Sequence, residues 1–588
     1  MSKNTFSRRA LFENFLKKDT SSNDPLFEKY AHKKTSARNI RSGLAAYTGA
    51  WTVWETLHLL RRTGYGFTKT EVDALHSMGM SAAVDNILKI NNTPPSPPVN
   101  YYNNTLADEN NLPYGADWTT DAFSTGAVGR ASNKYRWQGL QHWNLGLALN
   151  KENNIREKMV WFWYHFIPVD FENIFLSSNK FCNTNSARIC YQYIKLLRDN
   201  ALGNFKTIIR AVATQPAMMF YLNNNSNTKT APDENFAREV MELFTLGKDP
   251  LSQYTQTDVE QAAKLLTGWR VQDLNTANTT TQFNANLHDT SDKQFSSFFN
   301  NKTISNLGTK ELDAFFDMIF SKSKVVSEYI CRRLYRYFVY YDIDATTEAN
   351  VIQPLAATFV KSNWDIVPVL NQLFKSEHFF DMQNRGSYIK SPFDLVIGSL
   401  RAFNLNYNVS DATNYEAQYK VWGYFNTNML TPMQQLMGDV PNVSGWQAFY
   451  QKPSFHEYWI NSNTTQNRFV FLQNIFNGYN INVKSLATRI EVDVIAFVQP
   501  FGNVICEDPD LLVNECIQYL LPIDISAILK NDLKLETLLY QQTTNAYWTS
   551  AWNNYITDPT NNSNKMIVKN GLKRLLTTIT QYAEYQLM

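Results

Sequence analysis

Four side chains between Asp233 and Gly247 carry the richest chemistry in the sequence: Glu234, Arg238, Glu239 and Glu242. At roughly 100° per residue they share one polar arc of a predicted helix, with Glu234 and Glu242 each four residues from Arg238. Phe236, Ala237, Val240, Met241, Leu243 and Phe244 fill the other side, so that helix is two-faced. Pro232 suits its first turn and Gly247 its stop. As a carboxylate cluster, Glu239 or Glu242 would be a general base or metal ligand, and Arg238 and Glu234 would orient it or bind substrate. The same spacing also makes a solvated face laced by i,i+4 ion pairs, each worth about 0.3–0.5 kcal/mol.

Other segments offer partners. His165 shares a helix side with Lys158 and Trp161, which suits a cleft-facing acid/base or hydrogen-bonding group. His288 and Asp289, with Lys293 beyond, sit at a predicted hairpin bend as a ligand pair or a carboxylate-oriented imidazole. The plainer alternative there is an Asx turn whose histidine faces water. Lys390 precedes Ser391 and Pro392, a cap and a first helical position, and could present an ammonium beside free N–H groups to an anion. Trp446 ends a Pro-stiffened loop and is either a stacking platform for a sugar or a plug at a lobe boundary. Arg332, Arg333 and Arg336 form an arginine–aromatic face that could hold an anion or simply pack its stems. Glu242, His165, His288 and Asp289 are the candidates for a divalent metal. No phosphate-binding loop, nucleophile elbow, HExxH or EF-hand pattern occurs. The available chemistry is therefore proton transfer or carboxylate/histidine metal ligation.

To converge, these groups must be carried by a largely helical body. We expect a predominantly α, multi-lobed fold with a small β-hairpin insertion. A polar arm occupies 1–40 and N-terminal helices 41–90, among them Leu44–Thr63 and a helix opened by the Thr68–Glu71 capping box. A Pro/Asn-rich connector follows at 91–119, stiffened by Pro94, Pro95, Pro97 and Pro98. The main body spans 120–462 with the hairpin near 278–300, and 463–588 is helical, closing with an amphipathic helix near Met566–Gln586.

A chain of 588 residues is too long for one ordinary core. Its formal charge of +2 gives no electrostatic case for nucleic acid. No run approaches the roughly 20 apolar residues of a membrane helix, so no transmembrane segment is expected. The five scattered cysteines contain no CxxC pair and point to buried thiols rather than zinc or disulfides. Ser7-Arg8-Arg9-Ala10-Leu11-Phe12 is similar to a twin-arginine motif, but the charged Glu13–Asp19 segment lies where an apolar region should follow. The expectation is no cleavable signal peptide and a cytoplasmic default, with co-export on a partner as the alternative.

The Asp233–Gly247 run, followed by Tyr254-Thr255 and Leu265-Leu266-Thr267-Gly268-Trp269, resembles the signature of the bacterial domain-of-unknown-function family 1800. Leu57–Gly66, Arg156–Phe166, Gly203–Asn223, Phe283–Lys293, Ile389–Phe393, Leu436–Trp446 and Ala583–Leu587 extend the likeness from about residue 50 to 588. Two departures stand out. Tyr164 and a single His165 replace the family's pair of histidines, and the loop before Trp446 is shorter, with one proline. The resemblance implies no reaction. Members are often encoded beside a sulfatase-like family, number 1501 in the same series, which implies a shared task on a surface or extracellular polymer. The expected function is an enzyme, a hydrolase or other acid/base or metal-assisted catalyst, acting on a polar, carbohydrate-like substrate with that partner. The alternative is a non-catalytic helical scaffold binding it.

Overall fold

Side-chain caps set where the helices begin. Among the described residues, reciprocal capping boxes open five of them: Thr52 with Glu55, Thr68 with Glu71, Thr255 with Asp258, Ser391 with Asp394, and Asn461 with Thr464. Each such cap stabilises a helix start by about 1 kcal/mol. The first box explains a difference from the sequence reading: the helix expected from Leu44 starts only at Val53 and runs to Thr63. Pro392 takes the first helical position after Ser391, as its missing N–H predicts.

The computed structural model describes residues 40–588 apart from 92, 104–111, 122–126, 150–153, 177–181, 249, 275, 408, 447–456 and 484–485. Residues 1–39 of the polar arm, with the Ser7–Phe12 motif, lie outside them. The architecture is predominantly α-helical with small antiparallel hairpins. β1 (Trp269–Gln272) pairs with β2 (Thr280–Phe283), Trp269 opposite Phe283. β3 (Lys293–Gln294) pairs with β4 (Thr303–Ile304). The insertion expected near 278–300 is thus two short sheets that begin at Trp269. A third pair, β5 (Tyr479–Val483) and β6 (Leu486–Ile490), interrupts the C-terminal helices.

Ser42–Met588 forms one unit, and its buried apolar side chains run continuously from Leu57 to Tyr585. Within it, the Arg156–Phe166 helix is buried at every residue except Glu157. A helix covered on all sides must pair the polar groups it takes inside. Those groups include Lys158 and His165, and their partners come from far along the chain. Among the described residues no helix is long and apolar enough to cross a membrane. Cys190, Cys331, Cys506 and Cys516 are buried.

Candidate functional site

The central helix is not one continuous α-helix. Asn235–Glu239 is α-helical, but Val240–Thr245 is a π-turn. The Leu246 N–H donates to the Met241 carbonyl at 2.9 Å, and the Thr245 hydroxyl to the Val240 carbonyl at 2.6 Å, both five residues back. The wider turn breaks the 100° progression on which the single polar arc rested. The arc divides accordingly. Glu234 and Arg238 form an exposed ion pair at 2.6 Å, and both bond Gln256 on the next helix. This half is the solvated i,i+4 pair. Glu239 and Glu242 are partly buried instead, and Glu242 is ion-paired with Lys248.

Tyr329 holds the π-turn from the Ser323–Phe338 helix. Its hydroxyl donates to the Leu243 carbonyl at 2.7 Å and accepts from Arg333 Nη2 at 3.0 Å. Gly247 has φ +79°, and a Cβ there would sit 2.6 Å from the Tyr329 ring. Only glycine lets the chain leave the turn so close to that ring.

Beside the turn opens a cavity of about 630 Å³ whose polar wall is Glu242, Lys248, Tyr329, Arg332, Arg336 and Glu348. That volume lies within the about 300–1,000 Å³ usual for ligand sites. Arg332 forks onto Glu348 with bonds of 2.9 and 2.7 Å, and burial followed by Arg333 and Arg332 brings Arg336 down to about 10. Glu239, three residues before Glu242, is not itself part of the lining. Burial, and then the charge of Glu242, raises its carboxyl to about 7, against the opposing pull of Lys248 and Arg238. Its Oε2 is buried with no hydrogen-bond partner. Two neighbouring carboxyls are thus held differently: one ion-paired, one able to keep its proton near neutrality.

The remaining predicted groups lie elsewhere. His165 is buried, its ring stacked on Trp446 with centroids 5.7 Å apart and planes 5° apart. Burial first, and Arg333 second, lower its pKa to about 3. Burial thus favours the neutral imidazole at this position. Trp446 is 2% exposed and also packs on Trp161, so it plugs the interior and offers no platform. Gly445, with φ +87°, allows this, because a Cβ would lie 2.5 Å from the His165 carbonyl. Lys390 makes its contacts within the fold. Its ammonium donates to the Tyr585 carbonyl at 2.7 Å and lies 4.0 Å from that ring's centre. The helix N–H groups nearby are already occupied, those of Asp394 by Ser391 and of Phe393 by Gln435. His165, with the paired Lys158 and Asp394, lines a space of about 20 Å³, room for no more than a water molecule.

His288 belongs to a buried lock. Its Nε2 is 2.9 Å from Glu311, its Nδ1 3.0 Å from the Thr267 carbonyl, and Glu311 also pairs with Lys293 at 2.8 Å. Burial pushes the Glu311 carboxyl up, but hydrogen bonds from His288, Lys293 and the Leu307 N–H outweigh it and hold the pKa below the ordinary value. Asp289 makes the Asx turn, accepting from the Ser291 N–H at 2.8 Å. Thus the imidazole is oriented by a carboxylate, but by Glu311 rather than Asp289. The four metal candidates do not converge, and among the described residues no three His, Cys, Asp or Glu side chains could share an ion. A helical wheel gives a side chain's direction about its own axis and says nothing of what a distant segment brings to meet it. Glu311, Tyr329, Lys248 and Glu348 were missed for that reason. The one available signal was the four-residue spacing of Tyr329 with Arg333 and of Arg332 with Arg336.

A family model described as a protein of unknown function (DUF1800) matches residues 58–587. No curated protein and no solved structure matches the chain.

Proposed function

Since the chain belongs to the DUF1800 family of proteins of unknown function, no reaction comes with its membership, and we propose one from the site itself: acid/base hydrolysis at the Glu239–Glu242 pair. Glu239 serves as the general acid and Glu242 as the carboxylate that activates water or stabilises positive charge. The observation that carries this reading is the unpartnered, buried Glu239 Oε2, with its carboxyl raised to about 7, beside Glu242 at the 630 Å³ cavity. An acid with a pKa near the working pH donates and recovers its proton most effectively. Three cations and two carboxylates in the cavity wall suit a polar, polyhydroxylated substrate, and a carbohydrate polymer is our choice. The sulfatase-like partner belongs to this proposal, as the protein acting on the same polymer.

The test is a polysaccharide panel assayed for new reducing ends. Glu239→Gln and Glu242→Gln are each expected to lower turnover by at least about 100-fold with the fold intact. Turnover unchanged in both variants, or absent from the wild type across the panel, refutes the reading. A second reading, a non-catalytic scaffold for that partner, is favoured by the internal use of His165, Trp446, His288 and Lys293. It predicts partner capture that survives Glu239→Gln.

A further inference from the structure

A second cavity, of about 320 Å³, lies beneath the Pro-rich connector and shares no lining residue with the Glu242 cavity. Its walls are aromatic: Trp143, Tyr415, Tyr419 and Trp422, with Pro95 and Pro97 from the connector. The connector is fixed over it, since Trp143 Nε1 donates to the Ser96 carbonyl at 2.8 Å and the Val99 N–H to the Tyr419 hydroxyl at 3.0 Å. Gly146 lets the Trp422 ring approach the Ala127–Leu149 helix, where a Cβ would be 2.7 Å from it. Between these walls stand Arg198 and Glu157, paired through Nη2 at 2.7 Å, with the guanidinium 5.6 Å from the Trp143 ring centre.

Two features point to a ligand. Arg198 is only 5% exposed, yet its Nε has no acceptor, and neither has the buried Trp422 Nε1. Buried donors without acceptors cost about 1–3 kcal/mol each unless something occupies the site. Arg198 and Glu157 are ion-paired within the lining, which also contains Arg156. Each hydroxyl of a sugar both donates and accepts, so neighbouring hydroxyls match a donor-only guanidinium beside an acceptor-only carboxylate. The C–H face of a pyranose ring covers an indole or phenol ring. From this juxtaposition of orphaned donors, an ion pair and aromatic walls, we infer a binding site for a hexopyranoside, of mono- or disaccharide size.

Saturation-transfer NMR on the full chain tests it, with methyl glucosides, galactosides and mannosides, and with maltose, cellobiose and lactose. Transfer concentrated on the ring C–H protons of at least one sugar is expected, with a dissociation constant of about millimolar. Trp422→Ala and Arg198→Lys are each expected to weaken binding at least tenfold, with circular dichroism confirming the fold. Should Trp422→Ala fail to fold, Arg198→Lys carries the test, because it keeps the charge for Glu157 and loses only the fork and Nε. Glu242→Gln is expected to leave this binding unchanged, which separates the site from the proposed hydrolytic one. Absence of transfer from every sugar, or equal transfer in wild type and both variants, overturns the inference.

Discussion

Replacing Glu239 by glutamine tests the physical core of the proposed site without any substrate. Burial and the Glu242 charge raise the Glu239 carboxyl from 4.5 to about 7. In the folded protein it therefore keeps a proton that the unfolded chain gives up at lower pH. Its contribution to stability is present in full below about pH 4.5 and is lost as pH rises to about 7. At about 1.4 kcal/mol per pH unit the undiscounted loss is about 3 kcal/mol, and for a half-buried group solvent screening reduces it to about 1–2 kcal/mol. For a chain of this length that equals about 1–2 °C in melting temperature. Wild type should thus melt about 1–2 °C lower at pH 8 than at pH 5 relative to Glu239→Gln, whose side chain does not titrate. Infrared spectroscopy reads the same proton directly. A protonated-carboxyl band lost near pH 7 in wild type should be missing from Glu239→Gln. In Glu242→Gln, where burial remains but the neighbouring charge is gone, the band should vanish at lower pH. If the two melting profiles run parallel from pH 5 to 8 and no such band titrates, the argument for a neutral-pH acid fails.

Two further predictions concern the groups that proved structural. Lys293→Ala leaves Glu311 without its ammonium in a site where both side chains are at most 1% exposed. The expected cost is about 3–5 kcal/mol, seen as a melting temperature lower by about 2–4 °C. Because the Glu311 pKa is held down, wild-type stability from this lock should be full above about pH 4.5 and fall on acidification, a dependence that Lys293→Ala flattens. Gly445→Ala should cost at least about 1–3 kcal/mol by calorimetry, from its φ of +87° and the 2.5 Å approach to the His165 carbonyl. An undisturbed melting temperature would show that the loop does not press on that helix as described.

Local chemistry was legible in the residues themselves. Ser391 before Pro392, and Thr68 three residues ahead of Glu71, predict helix starts that the structure bears out, because a cap needs only its own neighbours. Helical fold class and family likewise follow from patterns read along the chain. What lay out of reach was the environment of each charge. Glu239 and Glu234 look alike in sequence, yet one keeps a buried, unpartnered oxygen and the other faces Gln256 at the surface. His288 meets Glu311 and His165 meets Trp446 only because remote segments fold against them. Capping depends on hydrogen bonds within a turn, which sequence dictates. Protonation and ion pairing depend on the water that packing removes and on the partners it brings close, and only the tertiary structure decides those.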